Sequence, residues 1–244
     1  TLNAYGTLVM ANGVASVSTI GIGSFNGAPG SLDIESAATV TGTLGIVGFT
    51  TTDVSTVTIH GGRWDNEQLS VGSAGTVDMT IDNGGIVTAQ GGFTVFSGEP
   101  AMFVGGATGS SASLTIDGGG AEAVVTGDFG VGLRGSGVVT LTAAGKITAT
   151  GSLEAGQSAS ASANLHINGG ILEIGAGANL GDMGAGNLTL TGGGTLSVTG
   201  TLDEGVQTGA SGSSVFDDAD NSLSIGGDWI VGDAGVNSDT ISAG

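Results

Sequence analysis

The chain contains no cysteine, so neither disulfides nor thiolate chemistry can contribute to its fold or its function. Basic residues are almost as scarce: 3 Lys and Arg stand against 22 Asp and Glu, a net charge of −19. Phosphate recognition needs clustered Lys and Arg, so nucleic acid is excluded as a partner, and anionic membrane surfaces are disfavoured for the same reason. Only 2 prolines occur, which rules out a Pro-rich spacer. Aromatic residues make up 4%, so any core must be aliphatic. No apolar run approaches the ~18 residues of a membrane span, so membrane insertion is not expected. The chain opens on Thr1 without a signal-peptide pattern, as a processed chain or an excerpt of a longer one would.

What is abundant is glycine, 51 of 244 residues, without the three-residue period of collagen. Hydrophobic residues reach 39% and charged residues only 10%, the reverse of a disordered chain. One phrase recurs: a short β-branched strand, a Gly or Asp turn, a second strand, a glycine, and a third strand that ends in glycine. It is plain in VDMTIDNGGIVTAQGGF (77–93), VVTLTAAGKITATGSL (138–153) and NLTLTGGGTLSVTGTL (187–202).

Three ladders share the period. The third strand contributes Ile20, Leu44, Leu69, Phe93, Phe129, Leu153, Leu180, Leu202 and Trp229. The first contributes Leu8, Ile34, Ile59, Ile81, Ile116, Leu141, Ile167 and Leu190. The second contributes Val14, Val40, Val87, Val125, Ile147, Leu172, Leu196 and Leu223, with Trp64 as the plug where one coil lacks an aliphatic anchor. In L-T-I or L-S-V the apolar side chains face one way and the hydroxyls the other. Each strand is too short to stand alone, but stacked on its equivalent it gains a backbone ladder and an apolar column. The predicted fold is all-β: a single-domain parallel β-solenoid (β-helix) spanning 1–244, roughly nine coils of about 24 residues with three short strands each. An insertion is expected near 96–105, where Phe96, Met102 and Phe103 are apolar for a loop. At VFDDADNSLSI, either Phe216 takes the inward place in front of Asp217 or the strand loops out.

Both ends are read as first-strand phase, TLNAYGTL opening the chain and DTISAG closing it, with no capping helix. Bare solenoid ends are open edges, so the expected partner is self, in a homopolymer or a longer solenoid.

Chemistry is thin. A lyase would need a base and a cation near an acidic sugar; Tyr5, Arg63, Arg134 and Lys146 fall in different coils and strand phases. Hydrolase-type paired carboxylates are not evident, and the expectation is no catalytic residue and no enzyme. Asp217, Asp218 and Asp220 form the densest acidic group; it reads as a solvated loop or as a calcium site, the only cofactor suggested. Asp203 and Glu204 make a second acidic step, while His60 and His166 lie too far apart in coil number to form a metal pair. Outward Thr140/Thr142, Thr148/Thr150 and Thr189/Thr191 fit β-propensity on a solvent face. GIGSFNG, GLRGSG and GAGNLTL lack the lysine and helix of a phosphate loop.

The phrases LTIDGGG, VGSAGTV and GGGTLSVTG resemble the Gly/Thr/Ser-rich repeats of bacterial autotransporter passengers and related surface β-helix proteins, over nearly the whole chain. That resemblance implies an extracellular or cell-surface location and a structural, scaffold or adhesive role. It transfers no functional residue. The leading expectation is a structural subunit of a filament or surface matrix; the alternative is an adhesin or polysaccharide-binding stalk, for which only two Trp and one Tyr offer stacking surfaces.

Overall fold

The computed structural model of the chain describes residues 1–23, 26–91 and 98–242, and among them there is no helix. Every strand pairing between coils is parallel, and the chain winds as a β-solenoid of about nine turns. Each turn carries three faces. A representative one runs from Ser136–Thr142 on the first face, through Lys146–Ala149 on the second, to Leu153–Ala155 on the third. In the first two turns one long strand bends across two faces, Thr7–Ser16 and Ser31–Thr41, with a register shift between Met10 and Asn12.

The register defines continuous interior columns. On the first face Met10, Ile34, Ile59, Ile81, Ile116, Leu141, Ile167, Leu190, Phe216 and Ile241 stack one on another. From Ile34 to Leu190 these are at most 1% exposed. Burying each aliphatic side chain contributes about 1.5–3 kcal/mol relative to leaving it in water, which is what holds strands this short together. Phe216 fills the place in front of Asp217, so that strand is not looped out. Trp64 plugs the second face between Val40 and Val87 and is fully buried.

Several predicted anchors sit elsewhere. Met10, not Leu8, pairs with Ile34, and Leu8 belongs to the adjacent interior column. Ala15 occupies the second-face position expected of Val14, which is 77% exposed, and Ala123 rather than Val125 pairs with Val87. On the third face the column reads Ile20, Gly45, Leu69, Met102, Phe129, Leu153, Ala178, Leu202, Trp229; Leu44 and Leu180 lie beside it. First-face strands turn three residues inward and most second- and third-face strands two, at alternate positions, so spacing alone does not choose between neighbouring columns.

The insertion also needs correcting. Met102–Val104 is itself a third-face strand, paired with Leu69–Val71 and with Phe129–Val131. Met102 and Val104 are fully buried and Phe103 nearly so, hence this stretch is core and not a separable loop. The extra residues of that coil precede it; Phe93 and Phe96 lie outside the described residues.

After each third-face strand from Thr19–Ile22 onward comes a glycine with positive φ: Gly23, Gly48, Gly72, Gly105, Gly132, Gly156, Gly181, Gly205 and Gly232. The amide of each from Gly48 onward donates to the third-face strand one coil earlier, as in Gly132 N–H to Val104 O at 2.7 Å. A side chain at Gly132 would combine left-handed strain with a Cβ only 2.3 Å from Ser162 O.

The corner that follows alternates in length. Five residues separate Gly48, Gly105, Gly156 and Gly205 from the next first-face strand; three separate Gly72, Gly132, Gly181 and Gly232 from theirs. The long corners close on a turn whose last residue is buried: Asp53, Ser110, Ala161 or Ala210. Each short corner tucks a glycine beneath the long corner before it. A Cβ on Gly135 would meet Ala107 O at 2.4 Å, and one on Gly184 would meet Ala161 O at 2.5 Å.

Candidate functional site

The groups singled out in the sequence do not converge. Arg63 and Lys146 share an outward column on the second face, three coil steps apart with Ile86 and Glu122 between them, about 14 Å at the usual strand spacing. Arg63 Nε pairs with Asp65 at 2.8 Å, Lys146 Nζ with Glu173 at 2.9 Å, and Arg134 with Glu99. All three Lys and Arg of the chain are thereby committed to carboxylates. Tyr5 is 58% exposed at the first turn, away from all of them. His60 Nδ1 lies 2.8 Å from Asp82, whereas His166 stands four coil steps along, between Thr140 and Thr189.

Asp217, Asp218 and Asp220 occupy the corner between Ser211–Phe216 and Ser222–Ile225. Asp217 accepts from Ser242 Oγ at 2.8 Å, and Asp218 accepts from the Asp220 amide at 3.1 Å. Among the described residues no three His, Asp or Glu side chains are placed to hold a metal ion together.

The first face carries an outward file that periodicity alone did not resolve. Thr58, Thr80, Thr115 and Thr140 are in direct register. Asp78, Asp82 and Asp117 flank this file, so the surface is acidic as well as hydroxylated. A shallow groove of about 350 Å³, lined by Thr148, Thr150, Glu173, Ser197 and Thr199, has no aromatic wall. Trp64 is fully buried, and Trp229 packs against the core with its ring edge-on to Phe216 at 5.7 Å.

Buried polar groups such as Asp53 and Ser55 accept from nearby backbone amides, and two further polar places in the interior stand out. In the coil of Trp64, the indole N–H, both amide atoms of Asn66, Gln68 Oε1 and Ser70 Oγ are buried without a hydrogen-bond partner. The second place is a connected network. Along the third face one interior column runs Ala4, Ile22, Val47, Val71, Val104, Val131, Ala155, Leu180, Glu204, Val231. Glu204 is its single charged member and is 0% exposed.

The Glu204 network is built from the third and first faces of two successive turns. Glu204 Oε1 accepts from Ser214 Oγ at 2.7 Å and from Trp229 Nε1 at 2.9 Å. Its Oε2 accepts from Asn237 Nδ2 at 3.2 Å, and the same amide donates to Asp239 Oδ2 at 3.1 Å. Asp239 Oδ1 accepts from the Ser214 amide at 3.1 Å, patching the ladder where Val236–Asn237 and Thr240–Ile241 are interrupted. Asn237 Oδ1 is buried with no partner. Burial raises the Glu204 carboxyl above its ordinary value, the donors from Ser214, Asn237 and Trp229 pull the other way, and Asp239 adds to the rise.

The LDEG step was visible in the sequence only as two adjacent acids. A register alignment would have shown more, since Glu204 stands in the column of Leu180 and Ser214 in that of Leu188. Comparison with family models, with curated proteins and with solved structures finds no match for this chain.

Proposed function

We propose that this solenoid is an extracellular structural element, a rod that builds a filament or surface matrix by pairing end to end. The observation that carries the reading is the state of the two terminal turns. At one end Leu2–Ala4 and Thr7–Ser16 offer edge strands on all three faces, with Tyr5, Val9 and Val14 exposed. At the other, Ser222–Ile225, Trp229–Val231 and the strands from Val236 to Ile241 do the same, with Val231, Val236 and Ile241 more than half exposed. Open ladders with apolar inner positions favour further parallel strands. The resemblance to passenger-type surface repeats and the high negative charge, which keeps free rods apart sideways, agree with this.

One part of the sequence reading changes. The chain enters on the third face, because Leu2 pairs with Ile20, and leaves on the first, because Ile241 pairs with Phe216. Polysaccharide binding has less support, since neither tryptophan is presented for stacking.

Electron microscopy and sedimentation across a concentration series test the proposal. Rods that lengthen in multiples of one subunit are expected, and a strictly monomeric rod at the highest concentration would overturn it.

A further inference from the structure

We propose that Glu204 holds a proton in the closed state and forms an acid-closed latch, which fastens the first-face segment 236–242 onto the strand Ser211–Phe216. The latch is internal to one chain and does not rest on the end-to-end reading.

The argument begins with position. Glu204 projects into a column that is aliphatic at every other level, and water does not reach it. An ionised carboxylate there loses its hydration and can be sustained only by a cation or by several donors. No cation is at hand, because Arg63, Arg134 and Lys146 are all paired elsewhere. The donors are the neutral groups of Ser214, Trp229 and Asn237. The titratable group that faces Glu204 is Asp239, another acid, linked to it through the one Asn237 amide. Asp203 lies on the outward side of the same strand, with Asp182 and Asp233 near it, and these add only negative charge.

A carboxyl in such a place keeps its proton until water reaches it. The unpartnered Asn237 Oδ1 provides an acceptor for that proton once the amide turns over. With the proton present, Asp239 accepts from the Ser214 amide and the segment stays laddered. Without it, a carboxylate stands in the interior with no cation beside it. Relief comes by lifting 236–242, the least buried strand segment next to it, so that water reaches Glu204.

The sign follows from linkage. A carboxyl whose folded titration point lies above its ordinary value binds a proton that the opened segment does not. Closure is therefore fully stabilised below about the ordinary glutamate value of 4.5 and is lost as pH rises through the folded value. Opening should grow about tenfold per pH unit within that window and level off above it.

Hydrogen exchange read by mass spectrometry, with intrinsic rates corrected for pH, tests this on the whole chain. Peptides covering 229–242 should lose protection about tenfold per pH unit above pH 4.5, while a peptide covering 138–153 stays constant. In Glu204→Gln the slope should vanish and the segment should keep its acid-side protection at neutral pH. A wild-type segment with pH-independent protection overturns the latch, and so does a Glu204→Gln chain with the wild-type slope. Should Glu204→Gln fail to fold, Asp239→Asn serves in its place: a loss of protection that levels off at lower pH than in the wild type supports the latch, and an unchanged window overturns it.

Discussion

The central turns and the last two turns use the same backbone for different ends. Around Ile116, Leu141 and Ile167 every inward strand position is apolar, and the columns are closed above and below. At Glu204, Ser214, Trp229 and Asn237 the same inward positions form a hydrogen-bonded polar network, and the turn beyond them is largely open to water. Backbone pairing is continuous in the central turns and interrupted only on the first face of the last one, where Val236–Asn237 and Thr240–Ile241 are separate. The side chains that fill the interior decide which turns are permanent and which can move, and the least protected turn lies over the one interior column that carries a charge.

The sharpest way to break that contrast is to truncate equivalent residues in the two regions. Leu141→Ala should cost about 2–5 kcal/mol, because a fully buried column loses its filling with neighbours on both sides. Ile241→Ala, 71% exposed in the same column, should cost under about 0.5 kcal/mol. Urea unfolding followed by circular dichroism measures both, and equal losses would dissolve the distinction.

A smaller effect separates glycines that are packed from those that are only left-handed. Gly132→Ala puts a Cβ against Ser162 O and should cost about 3 kcal/mol in the same assay. Gly118→Ala has φ +93° but open space around it, and should cost about 1 kcal/mol.

The smallest effect concerns pH outside the latch. Glu154, on the outward side of the third face, is raised chiefly by burial, against a hydrogen bond from Asn179. Its share of stability is therefore present below about 4.5 and lost as pH rises through its folded value. Glu154→Gln should narrow the difference in thermal midpoint between acid and neutral solution without removing it, since Glu204 keeps its own contribution. An unchanged difference would assign the dependence to Glu204 and Asp203, both raised chiefly by burial.

Much of the architecture was legible because it repeats. Ile34, Ile59, Ile81, Ile116, Leu141, Ile167 and Leu190 were all placed in one column from spacing alone, and Trp64 was placed as a plug. Where the reading slipped, it slipped by two residues at Leu8, Val125 and Leu180, since another inward residue of the strand also satisfies the alternation, and by one at Leu44, where the column passes through Gly45. Met102 was missed because an anchor 24 residues after Leu69 was already available in Phe93. The network at Glu204 was not legible as a site. Its members are spread from 204 to 239, and only the register between coils shows that an acid, a hydroxyl, an indole and an amide share one interior.

The alternating corners have a consequence for how such a protein can change its length. A short corner is shaped to lie beneath a long one, so the piece that repeats without conflict is a pair of turns, about fifty residues. Gain or loss of a whole pair rejoins a long corner to a short one and leaves both cut surfaces matched. Gain or loss of a single turn places like upon like, leaving a gap or a collision along one edge. A gene that grows by internal duplication would therefore be expected to count in twos.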